Sequence, residues 1–186
     1  MSRRVDIAKP EVANREEVEH FRQSWASGLL VDARYVTRSM SSRRVKADLE
    51  DSLFGATLAT ENTIRSVLSL WRPPSADHGE TIVLASLGSG LNGHSQIVHG
   101  GLTAMLIDEA SGLANMNHND AHTFTANLNV NYRKPIPAPG VVLCRASITA
   151  VQGRKRFIKC TVEGPDNVIY ADSVALFLEF KEGFKL

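Results

Sequence analysis

The stretch of residues 94–114, HSQIVHGGLTAMLIDEASGLA, combines residue types that can do carbonyl chemistry. The glycine pair Gly100-Gly101 follows His99, and two adjacent carboxylates, Asp108 and Glu109, interrupt an apolar run. Glycines at a helix start let a ligand approach backbone N–H groups, which can stabilise an oxyanion. A carboxylate half-embedded in apolar surroundings is desolvated and can act as a base or a nucleophile. Periodicity alone allows equally that one or both carboxylates are exposed and only hydrate the helix.

The spacing of these groups limits how they can cooperate. Asp108 lies seven residues after Gly101, close to two helical turns or ~10 Å along the axis, and Glu109 is rotated by about 100° from it. One helix therefore holds its own carboxylate too far from its own N–H groups for both to meet one carbonyl. If both act, two copies of the helix meet antiparallel and each donates half of a site. The spacing thus predicts a homodimer, or a dimer of dimers, with sites at the interface.

The elements that must position these residues are one long helix and a set of strands. The helix is predicted from about Gly100 to Asn115. Along residues 123–132, apolar Phe124 to Tyr132 and polar Thr123 to Asn131 alternate, which predicts two distinct strand faces. Short turns after residue 136 require antiparallel neighbours, so the pattern indicates an α+β layer with an antiparallel sheet of about five to six strands. The strands are predicted over Thr60–Trp71, Thr81–Leu87, residues 123–132, Val141–Val151, Lys155–Val162 and Val168–Phe180.

The first part of the chain differs in composition from the rest. We divide the sequence into an N-terminal helical extension, residues 1–55, and a main domain, residues 56–186. The extension is rich in charges, and Asn14 to Leu30 reads as a capped amphipathic helix with an apolar stripe. Residues 34–46 contain five basic and no acidic side chains. They are interpreted as a solvated linker or as a patch for an anionic partner.

Composition excludes several classes of protein. The 186 residues suffice for one domain, and a net charge of +1 gives no field of the kind that nucleic-acid binders show. We find no apolar run long enough for a membrane span and no secretory signal, so an intracellular protein of the cytoplasm is expected. Cys144 and Cys160 are expected to be buried free thiols. The G-x-G-x-x-G of residues 88–93 lacks the parallel βαβ context of a dinucleotide site, and no histidine pair has a familiar set of metal ligands.

Two separated motifs resemble one family. His99-Gly100-Gly101 with Asp108, followed by TANLNVNYRKPIP at residues 125–137, resembles the hotdog-fold acyl-CoA thioesterases of the phenylacetate-pathway and mammalian thioesterase-superfamily-member type. The combination H-G-G-x6-D with this strand is more specific than either part. The resemblance covers roughly Thr60 to Lys181 and leaves the extension out. It implies a hotdog fold, in which the antiparallel sheet wraps around the long central helix.

The resemblance also implies roles for individual residues. The Gly101 N–H would hold the thioester oxygen, and Asp108 would activate water or attack as a nucleophile. Thr125 would orient the water from the other subunit's half of the site, and His99 would cap the loop beside the thioester. Many family members carry Asn or Gln six residues before this histidine, where this chain has Gly93. Whether a neighbour of Gly93 or nothing replaces that amide stays open. The further expected substrate contacts are Gly100, Asn92, His94, Glu109 and Asn127, and the expected phosphate contacts are Arg133, Lys134, Arg154, Lys155 and Arg156.

The resulting expectation is hydrolysis of an acyl-CoA to free acid and CoA, with no cofactor other than coenzyme A as part of the substrate. Carrier-protein thioesters are an alternative substrate. A dehydratase or hydratase on the same fold is one rival function, and a hotdog dimer that binds acyl-CoA or a partner protein without turnover is another.

Overall fold

A computed structural model describes residues 13–118 and 122–181 of the chain. The predicted extension is therefore described from residue 13 onward. Its central feature is a seven-stranded antiparallel sheet packed against one long helix. The helices are α1, Arg15–Arg22, and α2, Gly100–His118. The strands are β1, Val36–Arg38; β2, Ile64–Arg72; β3, Glu80–Leu87; β4, Asn92–His94; β5, Ile97–Val98; β6, Thr123–Tyr132; β7, Gly140–Gln152; β8, Lys155–Glu163; and β9, Ile169–Glu179.

The main sheet has the order β1-β2-β3-β7-β8-β9-β6, and β4 pairs with β5 in a separate short hairpin. All six predicted strands are present, and α2 extends three residues beyond its predicted end, to His118. The seventh strand, β1, comes from the segment assigned to the extension and pairs with β2, with Val36 opposite Trp71. Residues on both sides of position 55 therefore build one sheet.

The connection between β6 and β7 differs from the prediction. The turn residues predict that these consecutive strands pair, but β7 lies between β3 and β8, whereas β6 pairs with β9 at the sheet edge. The proline-rich connection crosses the end of the sheet and is tied to the β4–β5 hairpin, because the Val98 N–H donates to Ile136 O at 3.0 Å and the Ala138 N–H to Gln96 O at 3.0 Å. Ile136 and Ala138 are buried along this path. The turn residues thus mark a crossover and not a hairpin.

Helix α2 lies on the inner face of the sheet. Its buried side chains recur at the spacing of one helix face, and they meet inward-facing residues of β2, β3, β7, β8 and β9 in the larger core cluster. The buried residues of α2 are Thr103, Leu106, Ile107, Ala110, Ser111, Ala114 and Asn115.

The outer face of β2, β3 and β7 packs against the extension. Phe21 of α1 is fully buried there against a second apolar cluster. Leu84 of β3 faces this cluster, whereas its neighbour Ala85 faces α2, so β3 is buried on both sides. That explains the continuous apolar run of this strand. The second cluster consists of Phe21, Ala26, Leu68, Leu70, Ile82, Leu84 and Leu143.

The helix predicted from Asn14 to Leu30 is shorter in the structure. Asn14 caps α1 as expected, since its side chain accepts the Glu16 N–H at 2.9 Å. The helix ends at Arg22 because the Ser24 hydroxyl donates to Phe21 O at 2.7 Å and accepts the Ala26 N–H at 3.2 Å, replacing helical hydrogen bonds. A 3-10 turn, Ser27–Val31, follows.

The basic stretch of residues 34–46 is neither a solvated linker nor a free cationic patch. The Arg43 guanidinium donates to Phe54 O at 2.6 Å and to Ile64 O at 2.8 Å. Arg38 lies 4.2 Å from the centre of the Trp71 ring. These side chains fasten the extension to β2, as Met40 and Phe54 do by burial in the inner core.

Two further expectations concern the cysteines and the membrane. Cys144 and Cys160 are both free and buried, as predicted. Among the described residues, no helix combines the length and apolar character needed to cross a membrane.

Phe21→Ala tests whether the extension is part of the folded unit. We expect the free energy of unfolding to fall by about 3–5 kcal/mol, since the substitution leaves a cavity in the outer cluster. Urea unfolding measures this change. The control Val31→Ala, at a side chain that is 78% exposed, should have an effect within about 0.5 kcal/mol. Equal stability of the two variants would show that α1 does not stabilise the sheet.

Candidate active site

The start of α2 is capped by His99. The Gly101 N–H donates to His99 Nδ1 at 2.9 Å, and His99 O accepts the N–H groups of Leu102 and Thr103 at 3.0 and 3.2 Å. His99 therefore has the N-cap arrangement, in which a side-chain acceptor satisfies one of the unpaired donors of the first turn. The predicted capping role agrees with this geometry. The Gly101 N–H is engaged by the imidazole, so a carbonyl must displace the ring to reach it.

Gly93 is required by the position of His99. A Cβ atom built on Gly93 would lie 2.9 Å from the Cα of His99 and 3.1 Å from its Cδ2. An Asn or Gln side chain at this position would therefore push the capping histidine away. This close contact gives a physical reason for the departure from the family pattern.

Thr125 and Asp108 contact each other within one chain. Thr125 Oγ1 donates to Asp108 Oδ1 at 2.7 Å. Asp108 is half-buried and Thr125 is exposed, so a small molecule can approach the pair. Thr125 and Asp108 thus come from the same chain, and the position of Thr125 in another subunit relative to the Gly101 N–H stays a prediction.

A β-bulge in β6 makes this contact possible. The register shifts between Thr125, opposite Phe177, and Asn127, opposite Leu176. Paired residues of an antiparallel sheet lie on the same face. Thr125 therefore shares the inner face with Phe177, and Leu128 shares it with Ala175, which is also in the inner core. The simple alternation predicted for β6, with Thr125 and Leu128 on opposite faces, is wrong because the extra residue at the bulge changes the parity.

The same bulge turns Asn127 away from the helix. Beyond it, Asn127 and Asn131 lie on the outer face, where Asn131 Nδ2 donates to Asp172 Oδ1 at 2.8 Å. Because Asn127 lies on the face of β6 that points away from α2, it cannot contact a substrate bound beside α2 of the same chain.

Glu109 points to the other flank of α2, toward the extension. Ser42 and Asp51 of the extension lie close enough to act on its carboxyl group. Burial, opposed by the Ser42 hydrogen bond and reinforced by the charges of Asp51 and Asp108, raises the pKa of Glu109 from 4.5 to about 7. The two carboxylates thus have different surroundings. Asp108 faces β6, and Glu109 lies near the extension, while its predicted substrate contact stays a prediction.

Two grooves flank the start of α2. The first, which we call the Asn92 groove, has a volume of about 410 Å³, and the second, the His94 groove, has about 500 Å³. The Asn92 groove is lined by Leu53, Gly90, Leu91, Asn92, His99, Gly101, Leu102 and Met105. The His94 groove is lined by His94, Ile97, Val98, Gly100, Thr103, Tyr132, Arg133, Lys134, Pro135, Ile136 and Tyr170. Each neighbour of Gly93 thus lies in a different groove.

The predicted phosphate contacts separate into two groups. Arg133 and Lys134 line the His94 groove, although Arg133 Nε forms an ion pair with Asp172 at 2.5 Å. The hairpin of residues 154–156 lies at the other end of β6, near its first residue, because Lys155 pairs with Leu178 and Thr123 with Glu179. Since β6 has ten residues, the hairpin lies roughly 30 Å along the strand from Tyr132.

Within this hairpin only part of the charge is accessible. Arg156 is 3% exposed, and its Nη2 forms an ion pair with Glu179 at 2.6 Å. Its predicted phosphate contact is therefore corrected to a structural role. Arg154 donates to the Glu179 carbonyl oxygen at 2.8 Å, and Lys155 is exposed.

A larger depression of about 730 Å³ lies on another part of the surface, around Tyr35 and residues 72–75. Its three guanidinium groups are all paired with carboxylates: Arg34 with Asp32, Arg72 with Asp77, and Arg145 with Glu80 and Glu163. None of the residues that line this depression belongs to α2. We therefore place the candidate site at the smaller grooves.

The structure adds residues that the motifs did not select. The Tyr132 hydroxyl donates to Gly100 O at 3.0 Å and so ties the end of β6 to the start of α2. This tyrosine belongs to the recognised strand motif, whose spacing could have indicated it. Leu53 and Ser42 come from the extension, where no sequence pattern links them to α2. Within residues 13–118 and 122–181, no three His, Cys, Asp or Glu side chains are grouped to hold a metal ion.

The raised pKa of Glu109 predicts a specific pH dependence of stability. The folded protein binds a proton at Glu109 more tightly than the unfolded chain does. The contribution of Glu109 to the free energy of unfolding is therefore greatest below about pH 4.5 and declines as the pH rises to about 7. Glu109→Gln removes this decline. We expect the difference in free energy of unfolding between variant and wild type to shift in favour of the variant by on the order of 2 kcal/mol from pH 5 to pH 8. Urea unfolding at the two pH values measures this shift.

Glu61→Gln, at an exposed position, is the control and should change stability equally at both pH values. A pH-independent difference between Glu109→Gln and the wild type would contradict the burial of a titrating carboxyl at this position.

Comparisons with known proteins agree with this geometry. The family described as the thioesterase superfamily matches residues 95–170. Acyl-coenzyme A thioesterase THEM4 of Mus musculus is 37% identical over 100 residues, which cover 53% of this chain and 43% of the mouse protein. The chain thus spans less than half the length of the curated relatives it matches.

Solved structures show the same fold. A thioesterase superfamily protein superposes with a TM-score of 0.55 at 24% identity, covering 61% of this chain and 54% of that one. A Bacillus halodurans protein solved with CoA gives a TM-score of 0.50 at 25% identity, covering 53% of this chain and 66% of that one. The described structure therefore has the predicted hotdog fold, and the segment that carries the start of α2, Asp108 and Thr125 matches the thioesterase superfamily.

Proposed function

We propose that this protein hydrolyses acyl-CoA thioesters to a free acid and CoA. The observation that carries the proposal is the hydrogen bond between Thr125 and Asp108, in a segment that matches the thioesterase superfamily. A carboxylate that is half-buried on a helix and accepts a hydroxyl from a neighbouring strand is suited to holding and deprotonating water. The mouse relative is named an acyl-coenzyme A thioesterase, which supports the choice of substrate.

The proposed reaction begins with the thioester carbonyl at the start of an α2 helix. Its oxygen replaces His99 Nδ1 as the acceptor of the Gly101 N–H, and the partial positive charge of the helix terminus stabilises the negative charge that develops there. A water molecule oriented by Thr125 attacks the carbonyl carbon, and Asp108 takes its proton. The tetrahedral intermediate then breaks the C–S bond, and the leaving thiolate takes the proton that Asp108 received from water, which gives CoA and restores the carboxylate. No metal or redox cofactor enters these steps.

Two copies of the chain complete the site in this proposal. Seven residues separate Gly101 from Asp108 on one helix, which is ~10 Å along the axis. An antiparallel second α2 brings the Asp108–Thr125 pair of one chain to the Gly101 end of the other. Strand β6 supports such an arrangement: it is an edge strand of ten residues, TFTANLNVNY, with no proline or charged residue to block pairing.

The nucleotide part of CoA is assigned to the His94 groove. Phosphates need cations, and Lys134 supplies one beside Gly100. Among the described residues, Lys134 has no ion-pair partner, whereas its neighbour Arg133 is paired with Asp172. The CoA-bound state of the Bacillus halodurans structure supports a CoA ester over other thioesters.

Asp108→Asn should abolish turnover without disrupting the fold. We expect kcat for acyl-CoA hydrolysis to fall by about 10²–10⁴, since the general base is lost while the shape of the side chain is kept. Release of free thiol from short, medium, long and aromatic acyl-CoAs measures this. Glu109→Gln is the matched comparison, because its carboxylate is adjacent in sequence but faces the extension, and it should retain activity.

Activity that survives Asp108→Asn, or is lost in Glu109→Gln instead, would refute the assignment of the base. Binding of acyl-CoA without turnover by the wild type would favour a binding module, and turnover of carrier-protein thioesters alone would change the substrate class.

Lys134→Met tests the position of the nucleotide. We expect KM for an acyl-CoA to rise by about 5–10-fold with little change in kcat, since one charge-assisted contact is removed. A thioester of N-acetylcysteamine lacks the phosphates, so its KM should not change. Lys159→Met, at an exposed residue of β8 outside both grooves, is the control. An equal effect on both substrates would place the phosphates elsewhere.

A further inference from the structure

We propose that Leu53, a residue of the N-terminal extension, determines which acyl chains the site accepts. This inference rests on the proposed function. Leu53 begins a single π-helical turn, Leu53–Thr57, and lines the Asn92 groove together with residues of α2. The acyl chain is its proposed occupant.

The Asn92 groove has a polar end and an apolar wall. Asn92, His99 and Gly101 form the polar end, where the thioester carbonyl is to be held. Leu102 and Met105 supply the apolar side chains of α2, and Leu53 supplies one from the extension. A carbonyl joined to an aliphatic chain has the same sequence of polar and apolar parts, and ligand sites commonly combine apolar walls with few polar groups.

Charge decides which groove takes which end of the substrate. The His94 groove contains Arg133 and Lys134, whereas the lining of the Asn92 groove has no arginine, lysine or carboxylate. Burying phosphates against Leu53 and Met105 would leave them without cations. The acyl chain is therefore assigned to the Asn92 groove, on the opposite side of the helix start from the nucleotide.

The side chain of Leu53 is exposed, although the turn that carries it is held in place by contacts of the next residue, Phe54. Its side chain is 58% exposed, whereas the adjacent Phe54 is only 3% exposed. Arg43 donates to the Phe54 carbonyl oxygen at 2.6 Å, and its guanidinium lies 5.1 Å from the Phe54 ring. A held turn thus presents a large apolar side chain to solvent, next to two partly buried apolar residues of α2. Such a surface is suited to an apolar ligand.

The extension is fixed along the same flank of α2. Leu102, Met105 and Glu109 recur at helical spacing on this flank, and Ser42 of the extension lies near Glu109. The position of Leu53 over the groove is therefore set by the burial of Phe54 and by Arg43, which joins Phe54 O to Ile64 O of β2. A residue outside the superfamily-matching segment, which begins at residue 95, thereby shapes the groove.

Leu53→Trp and Leu53→Ala test this role. We expect Leu53→Trp to fill the groove and lower kcat/KM for long-chain acyl-CoA by at least about tenfold, with short-chain acyl-CoA changed less than about twofold. Leu53→Ala should widen the groove and lower the preference among chain lengths. The controls are Val45→Trp and Val45→Ala, at an exposed apolar residue of the extension that lines neither groove.

The possible failures can be distinguished. An unchanged chain-length profile in both Leu53 variants, with an active wild type, overturns this inference and leaves the proposed function intact. The same holds if the Leu53 variants change only the oligomeric state in light scattering, since a second copy would then cover the groove. A wild type inactive on every acyl-CoA overturns the proposed function, and calorimetry then decides on Leu53: weaker binding of long-chain acyl-CoA by Leu53→Trp supports its role, and equal binding overturns it.

Discussion

Burial of one face of α2 against the sheet is the constraint on which the rest of the structure depends. Leu106, Ile107 and Ala110 are fully buried at the centre of that face. Because successive residues rotate by 100°, Asp108 and Glu109 must then emerge on opposite flanks of the helix. One flank meets the edge strand β6 and the other meets the extension. Two adjacent carboxylates therefore acquire different partners, and the helix can be apolar at its centre while carrying an acidic pair.

The strand and helix pattern was predictable because it depends on local features. Apolar alternation and turn residues located β2, β3 and β6 to β9 within a few residues of their observed bounds. The pairing of β6 with β9 was not predictable in this way, since turn chemistry does not distinguish a hairpin from a crossover. The bulge beside Thr125 was also missed, because no single residue of TANLN marks it. The family resemblance selected Thr125 as a site residue, and the structure places it against Asp108, whereas the face assigned by alternation was wrong.

The extension was the least predictable part, and for a different physical reason. Its contacts join residues that are distant in sequence, such as Arg43 with Ile64 O and Trp25 with Val141 O. Neither the charge composition of the extension nor its amphipathic helical pattern predicts such contacts. Phe54 resembles any loop aromatic in the sequence, yet it is buried in the same cluster as Leu106. Residues 13–57 contribute to both sheet faces, to one sheet edge and to a wall of the Asn92 groove.

The contact of Trp25 with the sheet has a consequence for how the chain folds. Trp25 Nε1 donates to Val141 O at 3.0 Å, across 116 residues of sequence. The outer cluster likewise needs Leu143 of β7 before Phe21 is fully covered. The segment that leaves the ribosome early must therefore wait, with its apolar surface uncovered, until the middle strand of the sheet has been synthesised. Since long loops must close before these contacts form, folding is expected to be slow, and the newly made chain is most exposed to aggregation before β7 arrives.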